Sequence, residues 1–366
     1  MRALRHLLLA GVILALEFVT LEAALRFHGG SEASPGFQSL FMSDPRIGHR
    51  LRPGARTRYT TVEFSTDLAI NDQGVRDDAP IGPKAPDERR VVILGDSLVM
   101  AVQVPFVETF AKRLEKRLQQ ADPAHRWRVI NAGVQGYGPV EDWLFYDHVA
   151  AAFDPDVVLT VLFVGNDAVE ANDNEAKMDA RGAPVRADVS DQAATWARRL
   201  VRSSMVLQLA RVRADQLTAR VAGPGGERPL VSYLAEPAPE VVHGLDVTRR
   251  AVGYIAAKAT AAGARTMLVL MPARFQTDDA DYGRLAAIVH ENGETLVRQA
   301  ATERFRDGLA SLSLPTLDLL PVLEAQPERA GLFFQRNVHL TPRGHEVVAG
   351  ALADFLVRTN AVGAAR

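Results

Sequence analysis

Four short stretches bring together the residue types that acyl chemistry requires. Gly95-Asp96-Ser97 ends an apolar run, and a serine placed there is either a helix cap or a nucleophile. "NAGVQGYG", Asn131 to Gly138, spaces Gly133, Gly136 and Gly138 closely. Gly165-Asn166-Asp167 closes a third apolar run, and "RNVHLTPRGH", Arg336 to His345, precedes the last helical pattern. An oxygen nucleophile, a base for its proton and donors for a developing oxyanion are the working parts of acyl transfer. Each stretch also has a plainer reading: Gly, Asn and Asp are common turn residues, and His339 alone is an ordinary loop histidine. Their joint occurrence, in order and at strand ends, favours the chemical reading.

Those residues need a scaffold that delivers them to one edge. "RVVIL" reads as a short buried strand, and "VETFAKRLEKRLQQ" has helical spacing at Phe110, Leu114 and Leu118. "RVINAG" is a second strand, followed by a helix from Pro139 to Phe153 that opens with Pro and acids. "DVVLTVLFVGND" is apolar on both faces, as a central parallel strand is. "TMLVLMP", a helix through "YGRLAAIVHENGETLVRQAATERF", the strand "PTLDLL" and a helix from Pro342 to about Arg358 complete the pattern. Alternating strands and helices predict an α/β fold with a parallel sheet covered on both faces. Functional groups in such sheets gather where strands end.

"GDS" first, a glycine-rich second block, "GND" third and "HLTPRGH" last together resemble the SGNH/GDSL hydrolase family, over about Arg89 to Arg358. "NDQGVRDD", "VPFVETFAKRLE" and "VINAGVQGYG" look like a bacterial subgroup with an N-terminal membrane helix. The resemblance implies a flavodoxin-like, three-layer α/β/α sandwich. It implies Ser97 as nucleophile and His339 as general base. Its oxyanion hole would be the Ser97 and Gly136 backbone N–H groups and the Asn166 side-chain amide, with Gly133 the nearest rival to Gly136.

The family's aspartate two or three residues before the histidine is missing: Arg336 and Asn337 stand there. Three explanations remain open: Asn337 as a weak orienter of the ring, an acid from elsewhere with Asp318 the candidate, or a decayed site. Asp96 and Asp167 are assigned to local capping and turn hydrogen bonds, and His345 to packing. His339 and His345 lack the i,i+4 spacing and third ligand of a metal site, so neither metal nor organic cofactor is expected.

The 366 residues carry a net charge of −2, are 47% hydrophobic and 23% charged, and include no cysteine. That excludes disulfides, thiolate metal sites and a cysteine nucleophile, and gives no basic face for nucleic acid. Arg2 and Arg5 precede an apolar run from Leu7 to Leu16, extended to Phe27 across Glu17 and Glu22. About 20 residues suffice to cross a bilayer, and positive charge before the span keeps the N-terminus inside. The expected organisation is a transmembrane signal anchor over 1–28, a stalk and collar over 29–88, and the hydrolase-like domain over 89–360. An insertion over 172–244 carries a basic amphipathic helix, "TWARRLVRSSMVLQLARVRADQLTARV", read as a solvated cover or as a contact for anionic lipid. The expected function is hydrolysis of a small ester, or of an O-acyl group on a carbohydrate or lipid, on the outer side of the inner membrane. The rivals are an O-acyltransferase for a cell-surface polysaccharide, working beside a membrane acyltransferase partner, and a catalytically silent binding module.

Overall fold

The computed structural model describes residues 16–20, 22, 35–77, 79–185, 206 and 230–361. Two antiparallel hairpins come first: β1 (Phe41–Asp44) with β2 (Gly48–Leu51), and β3 (Arg56–Thr60) with β4 (Ser65–Ala69). The main sheet has five parallel strands, β5 (Glu88–Leu94), β6 (Arg126–Asn131), β7 (Val157–Phe163), β8 (Arg265–Met271) and β9 (Thr316–Asp318). They lie in the order β6-β5-β7-β8-β9, a flavodoxin-like arrangement whose switch point falls at β5. The residue after β5 therefore has a strand end on either side of it.

The apolar run of β5 divides between the two faces of the sheet. Val92 and Leu94 join one core cluster while Val91 and Ile93 join another, and all four are fully buried. Each such side chain contributes about 1.5–3 kcal/mol on burial. The short helix α1 (Ser97–Met100) follows β5, and α2 (Phe110–Ala121) packs Leu114 and Leu118 under the Val91/Ile93 face. α3 (Pro139–His148) covers the opposite face, and α4 (Asp167–Asn174) follows β7. α5 (Pro239–Ala261) makes the crossover to β8 and packs along α4 and α3. α6 (Asp279–Glu291) and α7 (Ala300–Leu309) follow β8, and α8 (Pro342–Arg358) closes the chain beside α2.

Three expected elements differ. The helix expected through Tyr282–Phe305 is two, α6 and α7, because Asn292 caps the first and Gly293 takes φ +77°. The helix expected to Phe153 stops at His148 and continues as one 3₁₀ turn, Ala150–Phe153. α5 starts at Pro239, inside the expected insertion. From Phe37 on, the segment expected as stalk and collar is core: Phe37, Leu40, Ile47, Leu51, Tyr59 and Leu68 are buried in the cluster that holds Val92 and Ile130. Apart from residues 16–20 and 22, the expected anchor lies outside the described residues, as does the basic helix apart from Val206. Among the described residues no helix is long and apolar enough to cross a membrane.

Candidate active site

Gly95 makes the turn out of β5 at φ +148°, where a Cβ would lie 2.5 Å from Val99 Cγ2 and 3.0 Å from the Val161 carbonyl oxygen. Only glycine fits there. Asp96 Oδ1 accepts the Leu98 N–H at 2.8 Å and caps α1, whose first residue is the half-buried Ser97. α1 ends at Ala101 in a left-handed conformation, φ 54°. The buried Arg76 takes the last carbonyl of α1 and those of the turn after it, donating to Met100 at 2.7 Å, to Ala101 and to Val104 at 2.6 Å. Burial lowers the Arg76 guanidinium to about 9.

The turn before α8 brings His339 to Ser97, Nε2 to Oγ 2.8 Å. On the ring's other side Nδ1 lies 2.5 Å from Asn337 Oδ1, the atom that also accepts the His339 backbone N–H at 3.2 Å. A backbone N–H can only donate, so the Asn337 atom facing it is the carbonyl oxygen rather than the amide nitrogen. That oxygen in turn fixes the proton on Nδ1 and leaves Nε2 free to accept the Ser97 hydroxyl proton. Asn337 thus stands where a triad acid would meet the ring, and carries no charge. His339 is buried, and desolvation lowers its pKa to about 4, so the ring is neutral near pH 7.

β6 and β7 flank β5 and deliver the remaining candidates. The glycine-rich loop is tied to the serine turn by Val134 N–H to Gly95 O at 3.0 Å and by Asn131 Nδ2 to Val99 O at 2.7 Å. Gly133 and Gly136 are glycines for different reasons. A Cβ at Gly133 would fall 2.5 Å from the Met100 nitrogen and from Val99 Cβ, so this position is packing. Gly136 has φ +74°, is exposed, and a Cβ there would meet nothing within 4 Å. Among the described residues neither the Ser97 nor the Gly136 N–H has a hydrogen-bond acceptor. Asn166, half-buried after β7, spends one amide hydrogen on Glu170 Oε1 at 2.8 Å and keeps the other. Gly138 packs on Glu170, 2.9 Å from its Cβ position to the Glu170 Cβ, so the two flanking loops meet there.

Beneath this edge lies a cluster of carboxyls. Asp96, Asp142 and Asp167 are buried and Glu170 is half-buried. Burial raises all four. Asp96 reaches about 6 and Glu170 about 8, the latter pushed further by Asp96, Glu141 and Asp173; Asp142 and Asp167 rise well above the usual range. Lys177 is bonded to Glu141 beside them. The native chain holds these protons where the unfolded chain, with carboxylates near 4, has lost them, so stability falls as pH rises from about 4 to about 8. Glu170→Gln keeps an acceptor for Asn166 without a titratable group. It is expected to remove about 1–3 kcal/mol of the loss between pH 6 and 8, as read by denaturant unfolding. An unchanged slope in the variant contradicts a Glu170 carboxyl raised by its buried surroundings.

The remaining candidates are local. Asp167 accepts the Phe163 N–H at 2.9 Å. Asp318 accepts the Leu320 N–H at 2.9 Å, and the ring nitrogen it was a candidate to orient belongs to Asn337. His345 is buried, takes the Phe110 N–H on Nδ1 at 3.2 Å and packs at a tilt against the Phe110 ring. Among the described residues no group of acids and histidines fits a metal ion. Sequence reasoning missed Glu170 and Glu63. Glu170 stands four residues after Asn166, one helical turn, which is a readable signal. Glu63 carried none: it acts on residues more than 270 positions away.

Residues 236–366 match the family model described as SGNH hydrolase-like domain, acetyltransferase AlgX. The match includes Asn337 and His339; Ser97, Gly136 and Asn166 lie outside it. No curated protein sequence matches the chain. Among solved structures, the chain is similar to an α/β hydrolase enzyme from the metagenome of Lake Arreo, Spain, at 14% identity over 77% of this chain and 98% of that one, TM-score 0.42. It is also similar to the lipase/acylhydrolase from Enterococcus faecalis, at 13% identity over 74% of this chain and 96% of that one, TM-score 0.40. An acetylxylan esterase from Geobacillus stearothermophilus, solved as a catalytic mutant, gives 13% identity over 76% and 95%, TM-score 0.40.

Proposed function

We propose that the chain, whose residues 236–366 match the model of an SGNH hydrolase-like domain, is an acyl-transfer enzyme that forms an acyl-serine at Ser97. The observation that carries this reading is the continuous relay from Ser97 Oγ through the His339 ring to Asn337 Oδ1, at 2.8 and 2.5 Å. Ser97 Oγ attacks the ester carbonyl carbon while its proton passes to His339 Nε2. The carbonyl oxygen takes up the charge facing the Ser97 and Gly136 N–H groups and the free Asn166 amide hydrogen. The tetrahedral species then collapses, and the leaving alcohol receives the proton from Nε2. A second nucleophile, deprotonated by the same ring, attacks the acyl-serine and restores the hydroxyl. With water as that nucleophile the reaction is hydrolysis of an O-acyl ester, on a carbohydrate or a lipid.

A second reading passes the acyl group to a sugar hydroxyl. The family match favours it, since its description names an acetyltransferase. Either reaction is proposed to take place outside the cytoplasmic membrane, with the apolar N-terminal segment as anchor; Arg2 and Arg5 before Leu7–Leu16 support that orientation.

The test is covalent labelling with a fluorophosphonate, followed by peptide mapping. One adduct on the peptide that contains Ser97 is the expected result; a native protein that takes up no label overturns the reading in favour of a silent binding module. Acetyl release from a labelled ester, with and without an oligosaccharide acceptor, then separates hydrolysis from transfer.

A further inference from the structure

Three parts of the collar touch three parts of the site. Arg76 holds the end of α1, and His49 Nε2 meets the Gln135 carbonyl oxygen at 2.8 Å. The third contact is with the His339 loop. At the tip of the β3–β4 hairpin the Glu63 carboxylate accepts three consecutive backbone N–H groups. They are Gln335 at 2.8 Å, Arg336 at 3.0 and 3.1 Å, and Asn337 at 2.9 Å. Successive N–H groups converging on one point form an anion-binding concavity, and hydrogen bonds to an ionised acceptor are roughly twice as strong as neutral ones. Arg274 takes the carbonyls of the same loop, Phe334 at 3.2 Å and Gln335 at 2.6 Å, and is itself paired with Asp281.

We propose that Glu63 is a positioning residue of the site: it acts through Asn337 on His339 and supplies, one residue further out, the negative charge that the residue beside the imidazole lacks. This rests on the acyl-serine reading above. The bottom of the ring relay is a neutral amide, so the imidazolium that forms during attack has no carboxylate in contact. The Glu63 charge sits against the Asn337 peptide, and Coulomb attraction falls only as the inverse of distance in the interior. The hairpin has a second anchor, since the Phe64 ring packs on Phe334 at 5.4 Å. The loop and the hairpin therefore stay docked when the charge alone is removed.

The experiment compares wild type, Glu63→Gln, Asn337→Asp and the double variant, reading the fluorophosphonate labelling rate and kcat and KM on a simple acetyl ester. Glu63→Gln is expected to slow labelling and kcat by about 5- to 20-fold with KM little changed. In the Asn337→Asp background, where a carboxylate already faces the ring, the same change is expected to cost less than about 2-fold. Equal losses in both backgrounds indicate a structural role only and overturn the proposal, as does a wild-type rate in Glu63→Gln. Titration of the His339 ring by NMR and amide exchange at residues 335–337 need no activity. Glu63→Gln is expected to move the ring's titration to lower pH and to speed exchange at those amides; no change in either overturns the proposal even in a protein that takes up no label. A wild-type protein that is not labelled, but whose ring and amides respond as stated, overturns the acyl-serine reading and leaves the positioning one standing.

Discussion

Ser97→Ala and His339→Gln are each expected to lower ester turnover by about 10⁴- to 10⁶-fold with KM little changed. Residues that act as one unit lose nearly the whole effect when either is removed. Alanine at 97 leaves nothing for a fluorophosphonate to modify. The hydroxyl is only half-buried, so its loss costs the fold little. Glutamine at 339 preserves most of the buried volume but cannot shuttle a proton, so labelling slows rather than vanishes. The wild-type pH profile offers an independent check. Burial lowers His339 to about 4, so the base is already neutral well below the ordinary histidine range, and the acid limb of kcat/KM is expected near pH 4. An acid limb at pH 6.5, or turnover that survives in Ser97→Ala, contradicts the assignment of this pair.

The strands and the main motifs were legible because they follow from short-range physics. The apolar Val91–Leu94 run reads as a short buried strand, and the glycine after it as a turn. His339 was legible as a candidate from its place before a helix start, and Asn337 from the gap it leaves in an otherwise familiar spacing. The Tyr282–Phe305 helix misled because apolar periodicity continues through Asn292-Gly293, where one positive φ breaks it. The collar misled for a different reason: its hairpins are short and polar on one face, and the chain around them is rich in Gly and Pro, so the sequence reads as linker. Their apolar residues become core only through contact with α3 and the sheet. Glu63 and Arg76 illustrate the limit most clearly. A half-buried glutamate at a hairpin tip and an arginine after a turn have no local signature. Their roles come from backbone groups that the topology brings to them.

Asn337→Asp is expected to raise the acylation rate by about 10- to 100-fold and to move the acid limb of kcat/KM upward by about 1–3 units. The acceptor atom is already in place: Asn337 Oδ1 takes both the His339 backbone N–H and the ring Nδ1 proton. A carboxylate keeps both bonds, so the tautomer does not change. What changes is the charge facing the ring. An opposite charge in contact favours the imidazolium, so the ring's pKa rises from about 4 toward neutrality, and the transition state, in which the ring is acquiring its proton, gains the same stabilisation. In serine hydrolases with a full triad the reverse change costs about 10,000-fold, much of it through the wrong tautomer. That part is not at stake here, which is why the expected gain is smaller. Glu63 lies on the other side of the same peptide, so the new carboxylate also meets a like charge, a further limit on the gain. A rate that falls in Asn337→Asp, with the His339 ring still titrating near pH 4, indicates that the charge missing from position 337 is not what holds the site back.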